Sequence, residues 1–192
     1  MVFNIGELVV YGINGVFLIE DIRVEAVLGN NVNYYVLKPM TDKNASLVFV
    51  PVENEVLTAE MRHIVSADRA NELLLSIPGV AAADWCEDSR RRADSFKQTI
   101  KSGDHTAMIA MIKSIIESGK RRLAIGKKNY LVDENVMKKA ERLLASEFSL
   151  AIGCEEEKML EDITARLEKY PRAARRRCGA MNCKPRGSQF NS

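Results

Sequence analysis

Leu8-Val9-Val10-Tyr11-Gly12-Ile13-Asn14-Gly15-Val16-Phe17-Leu18-Ile19 decides the character of the first third of this chain. Two apolar, β-branched runs flank an Asn-Gly pair, and Asn-Gly supplies the positive φ angles that a tight hairpin turn requires. The same reading extends outward. Ile22 to Val27 alternates, with Ile22, Val24 and Val27 against Arg23 and Glu25, and Gly29-Asn30-Asn31 offers a second turn. Val32 to Leu37 returns as a strand that Pro39 stops. Leu47-Val48-Phe49-Val50-Pro51-Val52 is the last strand, with Pro51 suited to a sheet edge. Five short strands predict a small, bent sheet or open barrel. The edges of such a sheet carry unpaired main-chain groups that invite a partner strand.

Residues 53–64 read as a connector, after which the apolar period becomes helical. Ser66-Ala67-Asp68-Arg69 opens a helix bearing Ala70, Leu73 and Leu74, and Pro78-Gly79 closes it. An alanine-rich bridge ending at Trp85 leads to a second helix over about Glu87–Lys101, with Phe96 and Ile100 one turn apart. Asp104 is placed as the N-cap of a third helix carrying Met108, Ile109, Ile112, Ile115 and Ile116. Residues 119–129 read as a basic loop, and Asp133 as the cap of a fourth helix with Ala140, Leu144 and Phe148 on one face. Glu155–Leu167 reads as a final acidic helix. The class is therefore α+β, with a sheet domain over 1–62 and an all-α domain over 66–168. Residues 171–192 have no apolar period and are expected to be a disordered basic tail.

The chain of 192 residues has a net charge of only +2, which conceals a strong asymmetry. Residues 1–65 carry 4 Lys/Arg against 8 Asp/Glu, net −4, whereas residues 85–128 carry 11 against 5, net +6. Residues 129–170 return to net −4, with 6 against 10. A concentrated positive block is the footprint of a nucleic-acid contact, although a solvated helix face gives the same count. No apolar run approaches the ~18–20 residues that span a bilayer, and no secretory signal opens the chain. A cytoplasmic, nucleoid-associated protein is expected. The cysteines Cys86, Cys154, Cys178 and Cys183 are irregularly spaced, so free thiols are expected. Cys178-x4-Cys183 alone lacks the four ligands of a structural zinc site. No P-loop, Gly-x-Ser-x-Gly or His-Glu-x-x-His is present, and no base and nucleophile are paired, so no enzyme, metal or cofactor is expected.

Three stretches together resemble the CarD/CdnL family of bacterial transcription regulators, whose N-terminal domain is shared with transcription-repair coupling factor. The first is Phe3-Asn4-Ile5-Gly6-Glu7-Leu8-Val9-Val10-Tyr11 running on to Gly15-Val16. The second is Tyr34-Tyr35-Val36-Leu37 followed by Val48-Phe49-Val50-Pro51-Val52-Glu53-Asn54. The third is Ile100-Lys101-Ser102-Gly103-Asp104, then Lys138 to Phe148. The chain departs from the pattern at Gly12, where proline is usual. It also departs near Glu25 and Phe49, where some members carry polymerase-contacting arginines.

The resemblance implies a Tudor-like N-terminal sheet that binds the RNA polymerase β subunit. It also implies a helical domain that holds double-stranded promoter DNA at the upstream edge of the bubble and stabilises the open complex. The candidate polymerase contacts are Glu25, Val27, Leu47, Phe49 and Pro51. The candidate DNA contacts are Trp85, Arg90, Arg91, Arg92, Lys97, Lys101, Lys120, Arg121, Arg122, Lys127 and Lys128. A lone tryptophan is ordinarily a core anchor, but the family's tryptophan at this place wedges into the minor groove. A monomer with no small-molecule ligand is expected. The alternative is a protein–protein adaptor that uses the sheet domain without binding DNA.

Overall fold

A computed structural model describes residues 3–27, 30–41 and 46–168. Strands β1 (Leu8–Tyr11) and β2 (Val16–Val27) form the expected hairpin, pairing Leu8 with Leu18 and Val10 with Val16. Gly15 takes a φ of 104°, a left-handed value that explains the Asn-Gly turn. β2 is longer than the sequence pattern suggests. The two strands expected over 16–19 and 22–27 are one, because a bulge between Ile19 and Asp21 absorbs the charged Glu20-Asp21 pair without ending the ladder. Glu20 faces outward there and pairs with Lys38 at 2.8 Å.

β3 (Asn30–Pro39) and β4 (Val48–Pro51) continue the antiparallel sheet. Residues 53–64 are not a simple connector. They hold the short helix α1 (Glu55–Thr58), capped by the Asn54 side chain, and the edge strand β5 (Met61–His63). A strand of three residues is too short to show a period. It is identified by its partner, since Val10 pairs with Arg62. The strand order is β4-β3-β2-β1-β5, so β4 and β5 are the two edges. Phe3, Val9, Tyr11, Ile19, Tyr35 and Leu37 pack together as one core of the sheet.

Among the described residues five further α-helices follow: α2 (Ala67–Ser76), α3 (Ser89–Ser102), α4 (His105–Leu123), α5 (Leu131–Ile152) and α6 (Glu156–Glu168). Ser66, Asp88 and Asp104 cap the first three by accepting main-chain N–H bonds. Two expectations are corrected. The segment expected to loop from 119 is still α4 through Leu123, so Lys120, Arg121 and Arg122 occupy its last turn. Cations there complement the partial negative charge of a helix C-terminus. Asp133 does not cap α5, because Tyr130 stands at that position and Asp133 lies inside the first turn, 5% exposed. A second core joins the helices through Leu73, Ile77, Ile109, Ile112, Leu144 and Phe148.

The two cores meet across a polar junction. Glu147 of α5, with a side chain only 3% exposed, accepts both guanidinium arms of Arg62 from β5 at 2.6 and 2.7 Å. It also accepts the main-chain N–H of Val65 at 3.1 Å and lies 2.9 Å from Nε2 of His105. Burial alone would raise its carboxyl pKa, but the hydrogen bonds and charges of Arg62 and His105 reverse this and hold it down, to about 2. Lys101 of α3 reaches Glu60 at 2.6 Å, and Ile13 of the β1–β2 turn packs on the helical core.

Candidate functional site

Asp88 accepts the N–H groups of Arg90 and Arg91, both at 2.9 Å, and so sets the first turn of α3. Successive residues rotate by 100° about a helix axis. Arg90 and Arg91 consequently face solvent, while Arg92 turns inward and is 3% exposed. Its guanidinium pairs with Asp133 of α5 at 3.0 Å and donates to the Cys86 and Glu87 carbonyls at 2.8 and 3.3 Å. It also lies 4.4 Å from the centre of the Trp85 ring and 5.2 Å from that of Tyr130. Arg92 is therefore a buried tie between α3, α5 and the bridge that carries Trp85. It is not part of an exposed basic track.

Trp85 itself is half-buried, tilted against Phe96 with ring centres 6.4 Å apart. Its bridge is held at two further points. Ala83 N–H donates to the Ala110 carbonyl at 3.0 Å. Lys113 of α4 donates to the carbonyls of Ile77 and, at 2.6 Å, Val80. Burial pushes the Lys113 ammonium down to about 8, against the opposing pull of Glu117. These ties let a segment with no regular structure present an aromatic ring at a defined place.

Trp85 opens onto a shallow cleft of about 290 Å³ that Arg121, Arg122, Ile125 and Tyr130 also line. The end of α4 thus comes beside the start of α3, joining Trp85 to Arg121 and Arg122. The guanidinium carbon of Arg122 lies over Tyr130, 3.8 Å from its ring centre, and Nε of Arg122 donates to the Lys128 carbonyl at 2.8 Å. Lys97, Lys120, Lys127 and Lys128 are exposed. Lys101, also exposed, pairs with Glu60 at 2.6 Å. Sequence reasoning missed Tyr130 and Ile125. The signal was present in residues 118–132, which carry five cations, no acid and one tyrosine.

The second candidate surface is the β4 edge. Leu47 and Phe49 are exposed, at 38% and 44%, while Pro51 is half-buried. Phe49 meets Tyr34 edge-on at 6.4 Å, and the Arg23 guanidinium stands 6.0 Å from its ring centre. Glu25 is exposed on β2, where Val24 is also 58% exposed. The Val27 side chain lies outside the described residues. So do Cys178, Cys183 and the expected tail 171–192. Among the described residues no group of three or more His, Cys, Asp or Glu could hold a metal. Among them, too, no helix is long and apolar enough to cross a membrane. The family model described as CarD-like/TRCF RID domain matches residues 3–65. No curated protein matches the chain.

Proposed function

Through residues 3–65 this chain belongs to the CarD-like proteins, and from that premise we propose that it is a non-catalytic regulator that stabilises open promoter complexes. RID domains of this family interact with the RNA polymerase β subunit, which makes the role of the chain transcription-related. The proposal adds the second grip and the mechanism. The β4 edge docks on the β subunit by strand addition, where main-chain bonds supply affinity and Leu47 and Phe49 supply selection. Tethering raises the local concentration of the helical part at the promoter. Trp85 then stacks at the upstream edge of the bubble, and Arg90, Arg91, Arg121 and the neighbouring lysines hold phosphates. The contacts are to backbone and shape, so little base specificity follows. The protein acts in the cytoplasm, at the nucleoid.

The observation that carries this reading is the cleft shared by Trp85 and the cationic end of α4, in a chain whose N-terminal third is an RID domain. An aromatic wedge is affordable where the duplex is already distorted. The contacts of Trp85 with Phe96 and Arg92 favour a second reading, in which the ring is structural and the helices bind protein.

A promoter-opening assay with polymerase separates the two. The wild type is expected to lengthen the open-complex lifetime, and Trp85→Ala to lose most of that effect. A lifetime that neither protein changes refutes the proposal. A lifetime that both lengthen equally supports the adaptor.

A further inference from the structure

We infer that the cleft between Trp85 and Tyr130 takes one unpaired nucleobase with its adjoining phosphate, and that Arg122 is the plane on which the base stacks. The inference rests on the reading of this face as a DNA surface. Its first support is pre-organisation. Arg122 is pressed on the Tyr130 ring at 3.8 Å and pinned by its Nε bond to the Lys128 carbonyl. A guanidinium held by a ring contact and a hydrogen bond is a planar cation with little freedom left to lose, and such planes stack well on bases. Both walls are also tied to one buried charge. Arg92 lies against Trp85 and Tyr130 while bound to Asp133, so the packing of α3 on α5 sets the width of the cleft.

The second support is the combination of apolar and cationic groups around the opening. Tyr130 is 43% exposed and Ile125 66%, although neither belongs to the helical core. Exposed apolar groups clustered at a polar rim mark a contact surface. Between Glu117 and Asp133 the chain carries Lys120, Arg121, Arg122, Lys127 and Lys128 and no acid. Glu87 is the acidic residue among the groups lining the cleft. A flat slot of about 290 Å³, open to solvent and bordered by cations, suits a planar ring joined to an anion. It is too shallow to enclose a compact ligand on all sides.

The test uses the full chain with two synthetic DNAs of equal length, a duplex and a fork whose unpaired strand carries 2-aminopurine. Wild type is expected to prefer the fork and quench the probe. Tyr130→Ala should weaken fork binding about tenfold, a loss in the range for one stacked base. It should relieve the quenching and leave duplex binding unchanged. Arg122→Met should behave like Tyr130→Ala, and Tyr130→Phe like wild type. The Tyr130 side chain makes no helix-capping bond, so the fold is expected to survive, which a thermal melt checks. If Tyr130→Ala binds fork and duplex as wild type does, the inference falls while the DNA reading stands. The same holds if it weakens both DNAs equally, or weakens only binding to polymerase. If wild type binds neither DNA, the DNA reading falls and takes the inference with it.

Discussion

Arg90, Arg91 and Arg92 are adjacent, identical side chains with different surroundings, and the difference is measurable. Arg92 is buried against Asp133, two carbonyls and two aromatic rings. Removing one partner of a buried pair strands the other charge, at a cost of about 3–5 kcal/mol. Arg92→Ala is therefore expected to lower stability by about 3 kcal/mol in urea unfolding, and to shift Trp85 emission to the red as its bridge loosens. Arg90→Ala and Arg91→Ala should change stability by less than about 0.5 kcal/mol, as exposed substitutions do. In salt titrations of DNA binding, each should instead lower the slope of log K against log salt by about one, the signature of a lost phosphate contact. If Arg90 and Arg91 leave the slope unchanged, they are solvated charges and nothing more.

Among elements, the edge strand β4 and the α3–α4 turn make separate predictions. Phe49 is 44% exposed on β4, so Phe49→Ser should cost less than about 1 kcal/mol of stability. It should weaken binding to the polymerase β-subunit lobe about tenfold in calorimetry, the loss of an aromatic contact at the centre of an interface. Unchanged affinity would move the docking site off this edge. The turn between α3 and α4 depends on Gly103, whose φ is 69° and where an added Cβ would stand 2.7 Å from Nε of Arg62. Gly103→Ala is expected to cost about 1–2 kcal/mol from its backbone conformation, and more from pushing Arg62 off Glu147. Gly79→Ala, at a site with no heavy atom within 4 Å of the added carbon, is the near-neutral control in thermal unfolding.

At the scale of the whole molecule, Glu147 joins sheet to helices and makes that junction acid-sensitive. Its folded pKa of about 2 lies below the ordinary 4.5. An acid with a depressed folded pKa contributes stability that is fully present above its ordinary pKa and is lost as the pH falls through the folded value. The difference corresponds to roughly 3 kcal/mol, present at pH 7, declining from about pH 5 and largely gone near pH 2. Urea midpoints measured between pH 6 and pH 2 should fall steeply for wild type and more gently for Glu147→Gln, whose stability at pH 7 is already lower. Parallel pH profiles would mean that this carboxylate does not control the junction. Because Arg62 lies on β5 of the sheet and Glu147 on α5, the pair ties the sheet directly to the helices.

The α+β class, the first hairpin, the order of the main helices and the basic block were all legible in the residues. They rest on local signals: the Asn14-Gly15 turn, period-2 and period-3.6 apolar spacing, and capping residues such as Ser66 and Asp104. The fusion of two expected strands into β2 was not legible, because a bulge at Glu20-Asp21 looks like a break until its partner β3 is seen. β5 was invisible for a related reason, since three residues carry no period and pairing with β1 alone makes them a strand. In the candidate site, charge located the cationic segment but could not sort it. Arg92 differs from Arg91 only in which way one helical residue faces, and Asp133, 41 positions away, meets it only through the packing of α3 and α5. Tyr130 beside Trp85 is likewise a product of that packing. Local propensity acts within a few residues and is written in the sequence. Burial, pairing and the shape of a cleft depend on groups brought together from distant positions, and only the tertiary structure decides them.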